Sequence, residues 1–134
     1  MLSHVTVHLE KNSVFFGHMS RVAIVVINWH SAKHTINCLS SLEAIRTNHE
    51  LQVYVLDNGS EPPEHWDIAA KFPWVEVRRS EVNLGFAGGN NYLLKEIRTL
   101  DFDYFLLLNN DTFVNKDFLD PLIQRARRQG PNTL

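Results

Sequence analysis

Between Arg21 and Asn28 the chain runs through six apolar residues without a break, Val22-Ala23-Ile24-Val25-Val26-Ile27, all but Ala23 β-branched. A strand with one solvated face would alternate with polar residues, so an unbroken run of this length is the pattern of a strand covered on both faces, as in a parallel sheet. The run is far short of the ~20 residues that cross a bilayer, and so is the run over 105–108. Parallel strands need crossovers of a dozen or more residues, usually helical, and the chain supplies them. The pattern predicts strands over 22–27, 51–56, 74–79 and 104–108, alternating with helices over 32–47, 63–72, 86–100 and 120–129. In the first helix Ser31 stands as the cap, and Ala32, Ile36, Leu39, Leu42 and Ile45 recur at helical spacing. The second has Pro63 in its first turn and stops before Pro73; the last has Asp120 and Pro121 as an N-cap and N1 pair and closes on Gly130 and Pro131. Val75 and Val77 alternate with polar neighbours, which puts the third strand nearer an edge. The expected fold class is α/β, a Rossmann-like parallel sheet with helices on both faces.

Composition agrees with one folded unit. At 134 residues the chain can bury one modest core and not two, and 44% hydrophobic with 21% charged residues excludes a collagen-like or disordered chain. Thirteen Lys and Arg against fifteen Asp and Glu give no general attraction for phosphate backbones, so nucleic acid is not an expected partner. The single cysteine, Cys38, cannot form an internal disulfide and reads as inert packing in the first helix. His4, His8, Glu10, Lys11 and His18 interrupt the opening stretch, which lacks the apolar core of a secretory signal. With no membrane span either, the expected location is cytoplasmic, a peripheral place at the inner membrane face being compatible with it. Met19-Ser20-Arg21 immediately precedes the first strand, so residues 1–20 read as an N-terminal extension, with an edge strand over 4–9 as the alternative. The sequence stops four residues after Gly130, where a βα series would begin another strand, so 21–134 read as the N-terminal part of a larger domain.

In open parallel sheets ligands bind outside the carboxyl ends of the strands, where strand order reverses. A polar cluster follows each predicted strand: Asn28-Trp29-His30, Asp57-Asn58-Gly59-Ser60, Asn83-Leu84-Gly85-Phe86-Ala87-Gly88-Gly89-Asn90-Asn91, and Asn109-Asn110-Asp111-Thr112. Taken singly, each has a plain structural reading. Asp-Asn-Gly-Ser is a good turn, Asn109-Asn110-Asp111 can cap the next segment, and Trp29 can be a packed aromatic. His30 and His34 fall exposed at a helix start, with no zinc-like spacing around them. The glycine segment resembles a phosphate loop, but it is not G-x-G-x-x-G and it follows the third strand, which weighs against a plain NAD site. Four clusters on one rim favour a binding site over four independent turns.

In order and spacing, the segments 22–29, 55–60, 83–91 and 106–112 resemble the family 2 glycosyltransferases of GT-A fold, and among them the rhamnosyltransferase-like branch. The resemblance covers 21–128. It implies a UDP- or dTDP-sugar donor and transfer of the sugar, rhamnose among the candidates, to a saccharide or lipid-linked saccharide acceptor with inversion, in cell-surface polysaccharide synthesis. It implies that Asp57 accepts a hydrogen bond from the pyrimidine N3–H and that Asn28 and Trp29 lie at the base or ribose pocket. Asn58, Gly85, Gly88, Gly89 and Asn109 complete the donor site, with the amino end of the third helix favouring the phosphates. The leaving diphosphate develops negative charge, which a divalent cation, Mg²⁺ or Mn²⁺, can neutralise. By the resemblance Asp111 and Asn109 hold it, but Asn109 replaces the first acid of the family's Asp-x-Asp pattern with an uncharged amide, which implies weak metal affinity.

The general base of inverting members is expected beyond Leu134. Glu43, Glu61, Glu64 and Glu96 have no motif around them and read as solvated surface acids. Two other readings stay open: a nucleotide-sugar-binding fragment without catalysis, and an unrelated Rossmann-like nucleotide-binding protein.

Overall fold

A computed structural model describes residues 5–9 and 19–130. Its elements are β1 (Val5–Leu9), β2 (Arg21–Asn28), α1 (Ala32–Glu43), β3 (Glu50–Asn58), α2 (His65–Lys71), β4 (Glu76–Ser80), α3 (Gly85–Ile97), β5 (Tyr104–Asn109) and α4 (Leu119–Gln129). The strands form one sheet in the order β1-β5-β2-β3-β4. The four strands read from the sequence are parallel to one another, and β1 is antiparallel to β5. The edge-strand alternative for the amino-terminal stretch is thus realised over Val5–Leu9; His4 lies outside the described residues.

The apolar run behaves as its pattern requires. Val22 to Val26 have no exposed surface, and alternate residues face opposite layers. Val22, Ile24 and Val26 join Val53, Val55 and Leu106 under α1, α2 and α4, through Leu39 and Leu42, Ile68, and Leu119 and Ile123. Ala23, Val25 and Ile27 join Tyr54 and Leu56 under the single helix α3, through Leu93 and Ile97. Helices therefore cover both faces, as expected of this fold class, and β4 lies at an edge.

Several element ends differ from expectation, each because a tertiary contact outweighs local pattern. Helix α1 stops at Glu43 rather than 47, although Ile45 still packs on the core. Beyond it, the Arg46 N–H donates to the Lys116 carbonyl (2.7 Å) and the Thr47 hydroxyl to Asp120, tying this turn to α4. Asp120 is accordingly not the cap of α4, which starts at the fully buried Leu119. Ser31 makes no side-chain cap on α1. Pro63 lies in the loop before α2, and α3 begins at Gly85 and ends at Ile97 rather than 100.

The chain steps outward from β2 to β3 to β4, then crosses through α3 to β5 on the other side of β2. Strand order reverses between β2 and β5, so the crevice above their carboxyl ends is the place where this topology opens a binding cleft.

Candidate functional site

Strand register sets Asn28 at the end of β2 beside Asp57 at the end of β3, and Ile27 beside Asn109 of β5. Asp57 has no exposed surface. Its Oδ2 accepts the backbone N–H groups of Glu64 (2.8 Å) and His65 (3.1 Å), and its Oδ1 accepts Asn28 Nδ2 at 3.3 Å. Arg79 Nη1 stands 3.4 Å from Oδ2. Burial pushes the Asp57 carboxyl up. The hydrogen bonds from the Ser60 hydroxyl, the Glu64 backbone, Asn28 and the His65 backbone outweigh that and hold it below the usual carboxylate range. The ionised carboxylate thereby satisfies the first N–H groups of α2 and complements that helix's dipole.

Glu64 repeats the device one element earlier. Its Oε2 accepts Asn28 Nδ2 (2.8 Å) and the N–H groups of Ser31 and Ala32 (3.1 Å each), so Glu64 takes the capping role expected of Ser31. The reading of Glu64 as a solvated acid is corrected here: it is half-buried and holds three donors. No local motif announces this, because the contact spans 32 to 36 residues. Glu61 does lie at the surface, on Arg79 Nη2 at 2.7 Å, as do Glu43 on Trp74 Nε1 and Glu96 on Arg78.

Asn58, also buried, ties the glycine segment to the rim. It accepts the Leu84 N–H (3.0 Å) and donates to Asn83 Oδ1 (3.2 Å) and the Gly85 carbonyl (3.0 Å). Gly59 makes the same junction possible: at φ +79° an added Cβ would stand 2.5 Å from the Asn83 nitrogen and the Val82 carbonyl carbon. Gly89 packs on Asn58 and Ile27, Gly88 is half-buried beside Leu84, and Gly85 opens α3 at φ +74° facing open space. The first turn of α3 therefore lies over the ends of β2 and β3. Trp29 is 52% exposed there, its ring edge-on to His30, and the His30 N–H donates to Ser60 Oγ (2.9 Å). Trp29 is not the packed aromatic of its plain reading.

The turn after β5 joins the same network through Asn110, which the sequence reading placed in the rim cluster without a role of its own. Asn110 Nδ2 donates to Ser31 Oγ (2.6 Å) and Thr35 Oγ1 (3.1 Å), and the Thr35 hydroxyl donates to Asn28 Oδ1 (2.6 Å). Asn110, Thr35, Arg79 and Asn83 thus support the rim by contacts between distant segments, which spacing along the chain does not encode. Asn109 is half-buried, its carbonyl accepting the Thr112 N–H, while Asp111 is exposed. Among the described residues no three His, Cys, Asp or Glu side chains converge as a cation cage.

This sheet and its covering helices form an α/β Rossmann-like protein of GT-A fold. The chain belongs to glycosyl transferase family 2, which it matches over residues 23–133. Crystal structures of S. aureus TarS share the fold. TarS 1-349 matches at 24% identity with a TM-score of 0.64, covering 78% of this chain and 31% of that one. TarS 1-349 in complex with UDP gives 24% and 0.65, with the same coverage. Its complex with UDP-GlcNAc gives 23% and 0.66, covering 78% of this chain and 30% of that one. The chain thus spans under a third of the TarS 1-349 structures it matches. No curated protein sequence matches it. Among the described residues no helix is long and apolar enough to cross a membrane.

Proposed function

We propose that this chain is the donor-binding part of a family 2 glycosyltransferase that moves a sugar, rhamnose among the candidates, from a UDP- or dTDP-sugar to a saccharide or lipid-linked saccharide acceptor with inversion. The observation that carries this reading is the single network joining all four strand-end turns, Asn28 to Asp57 and Glu64, Asn58 to Asn83 and Gly85, and Asn110 to Thr35, with Trp29 left open beside it. Trp29 offers a ring for the base, and Asp57 Oδ1 accepts the pyrimidine N3–H in place of its long 3.3 Å bond from Asn28. Gly85, Gly88 and Gly89 at the start of α3 bring backbone N–H groups and the helix dipole to the diphosphate. Asp111 and Asn109 hold Mg²⁺ or Mn²⁺ carried by the donor; the cation, when bound, neutralises charge on the leaving diphosphate. The groups assigned above bind the donor and its cation, and the general base is not among them.

Calorimetric titration with UDP, dTDP and NAD tests the reading. UDP or dTDP with Mn²⁺ is expected to bind and NAD not to. Trp29→Ala, an exposed position whose loss leaves the core intact, should weaken UDP binding by about 1–2 kcal/mol through lost stacking. Binding of NAD without UDP or dTDP would overturn the donor-site reading, and equal UDP affinity in both proteins would take Trp29 out of the base pocket.

A further inference from the structure

Asp57, the carboxylate assigned to the pyrimidine N3–H, is closed over: neither it nor Asn28 has any exposed surface. A nucleobase therefore reaches it only by displacing a group already there. The two oxygens are not held alike. Oδ2 takes the N–H groups of Glu64 (2.8 Å) and His65 (3.1 Å) and faces Arg79 Nη1 at 3.4 Å, contacts that also fix the start of α2. Oδ1 takes Asn28 Nδ2 at 3.3 Å, just beyond the usual range for such a bond. Asn28 is the group that gives way.

What the Asn28 amide keeps after giving way decides how hard the exchange is, because a buried donor left without an acceptor carries its full desolvation penalty. Glu64 prevents that. Its Oε2 lies 2.8 Å from the same Asn28 nitrogen, closer than Asp57 does, and is itself held by the Ser31 and Ala32 N–H groups (3.1 Å each). The other end of the amide is fixed as well. The Thr35 hydroxyl donates to Asn28 Oδ1 (2.6 Å) and is in turn held by Asn110 Nδ2 (3.1 Å), so the amide presents its NH₂ to both carboxylates. We infer that Glu64 is a positioning residue for the nucleobase: it retains the Asn28 amide while Asp57 Oδ1 exchanges Asn28 for the N3–H of a pyrimidine. This role rests on the donor-site reading above and gives Glu64 a part in choosing the base beyond its capping of α1. Uracil and thymine carry the proton that replaces Asn28 on Asp57. Cytosine has a lone pair at N3 and cannot make the exchange.

The test is calorimetric titration of the full chain with UDP and with CDP, each with Mg²⁺, in the parent protein, Glu64→Ala and Glu64→Gln. Ribose, diphosphate and cation are common to both nucleotides, so damage to the fold or to phosphate binding weakens both alike and leaves the UDP:CDP affinity ratio unchanged. The parent should prefer UDP. Glu64→Ala should cut that preference about five-fold, the equivalent of one hydrogen bond, and Glu64→Gln, which keeps an acceptor oxygen at the same reach, should hold it within about two-fold of the parent. A side-chain ¹H–¹⁵N spectrum of the parent needs no variant, and it decides the matter even where Glu64→Ala fails to fold. UDP should shift one of the two Asn28 Nδ2 protons, the one facing Asp57, and leave the other hydrogen-bonded to Glu64. An unchanged UDP:CDP ratio in folded Glu64→Ala, or UDP moving both Asn28 protons to the position of a free amide, would overturn the role of Glu64 and leave the donor site standing. A parent protein that binds neither nucleotide, or both equally, would sink the Asp57 reading beneath it.

Discussion

Asp57→Asn isolates the charge at the centre of the rim, because it keeps the shape of the side chain. An amide that turns its oxygen toward the Glu64 and His65 N–H groups sets its NH₂ against Asn28 Nδ2; turned over, it sets NH₂ against two backbone donors. In either orientation donor faces donor. Hydrogen bonds to a charged group contribute about 1.5–3 kcal/mol and neutral ones about 0.5–1.5, so two downgraded bonds at α2 should cost about 2–3 kcal/mol. At about 3–5 °C per kcal/mol for a chain of this size, Tm at pH 7 should fall by about 6–15 °C. The pH dependence separates charge from packing. The folded carboxyl titrates below its ordinary value, so its contribution is complete above the unfolded carboxylate pKa near 3.9 and is lost as pH falls through the lower folded value. Far-UV dichroism melts of both proteins should therefore show a constant gap from pH 7 to about pH 5 that closes below about pH 4. A gap of the same size at every pH would refute the electrostatic argument, and no gap at pH 7 would refute the capping role.

Gly59→Ala should destabilise by about 2–4 kcal/mol, since the new methyl meets backbone atoms at 2.5 Å at a positive φ; a urea midpoint within error of the parent would contradict this. Burial, and then the Asp111 charge, push the Cys38 thiol up to about 12, so the native protein should react with Ellman's reagent far more slowly than the urea-unfolded chain; equal rates would mean the thiol is not sequestered. Mn²⁺ followed by electron paramagnetic resonance should bind much better with UDP than without it, and Asp111→Ala should remove that synergy; identical binding by both proteins would take Asp111 out of the metal site.

The parallel sheet was legible because its evidence is local. An apolar run needs two covered faces wherever it sits, and periodicity locates the helices that cover them. The grouping of Asn28, Asp57, Asn58 and Asn109 followed from topology, since parallel strands deliver their carboxyl ends to one rim. Glu64 and Asn110 were not legible. Their partners lie 32 to 36 and 75 to 79 residues away, and nothing near them in the chain distinguishes a carboxylate or amide engaged with a distant segment from one facing water. Ser31 and Asp120 failed for the converse reason: both have the local chemistry of caps, but the N–H groups at Ser31 and Ala32 go to Glu64, and Asp120 is taken by Thr47.

The antiparallel pairing of β1 with β5 carries a consequence for any shorter product of this sequence. Among the described residues the sheet ends at β4 on one side and at β1 on the other, with β5 inside β1. Strand β4 carries Glu76, Arg78 and Arg79, charges that discourage a neighbouring molecule from adding a strand. Strand β5 reads Tyr104-Phe105-Leu106-Leu107-Leu108 with no charge, and its margin is shielded by backbone pairing from Val5↔Leu108 to Leu9↔Tyr104. A polypeptide initiated at Met19 would keep the whole strand-end rim but leave β5 with a row of unpaired amides and carbonyls on an uncharged strand. Such a product would template strand addition from its own copies, and self-assembly would compete with nucleotide binding from the moment it folded.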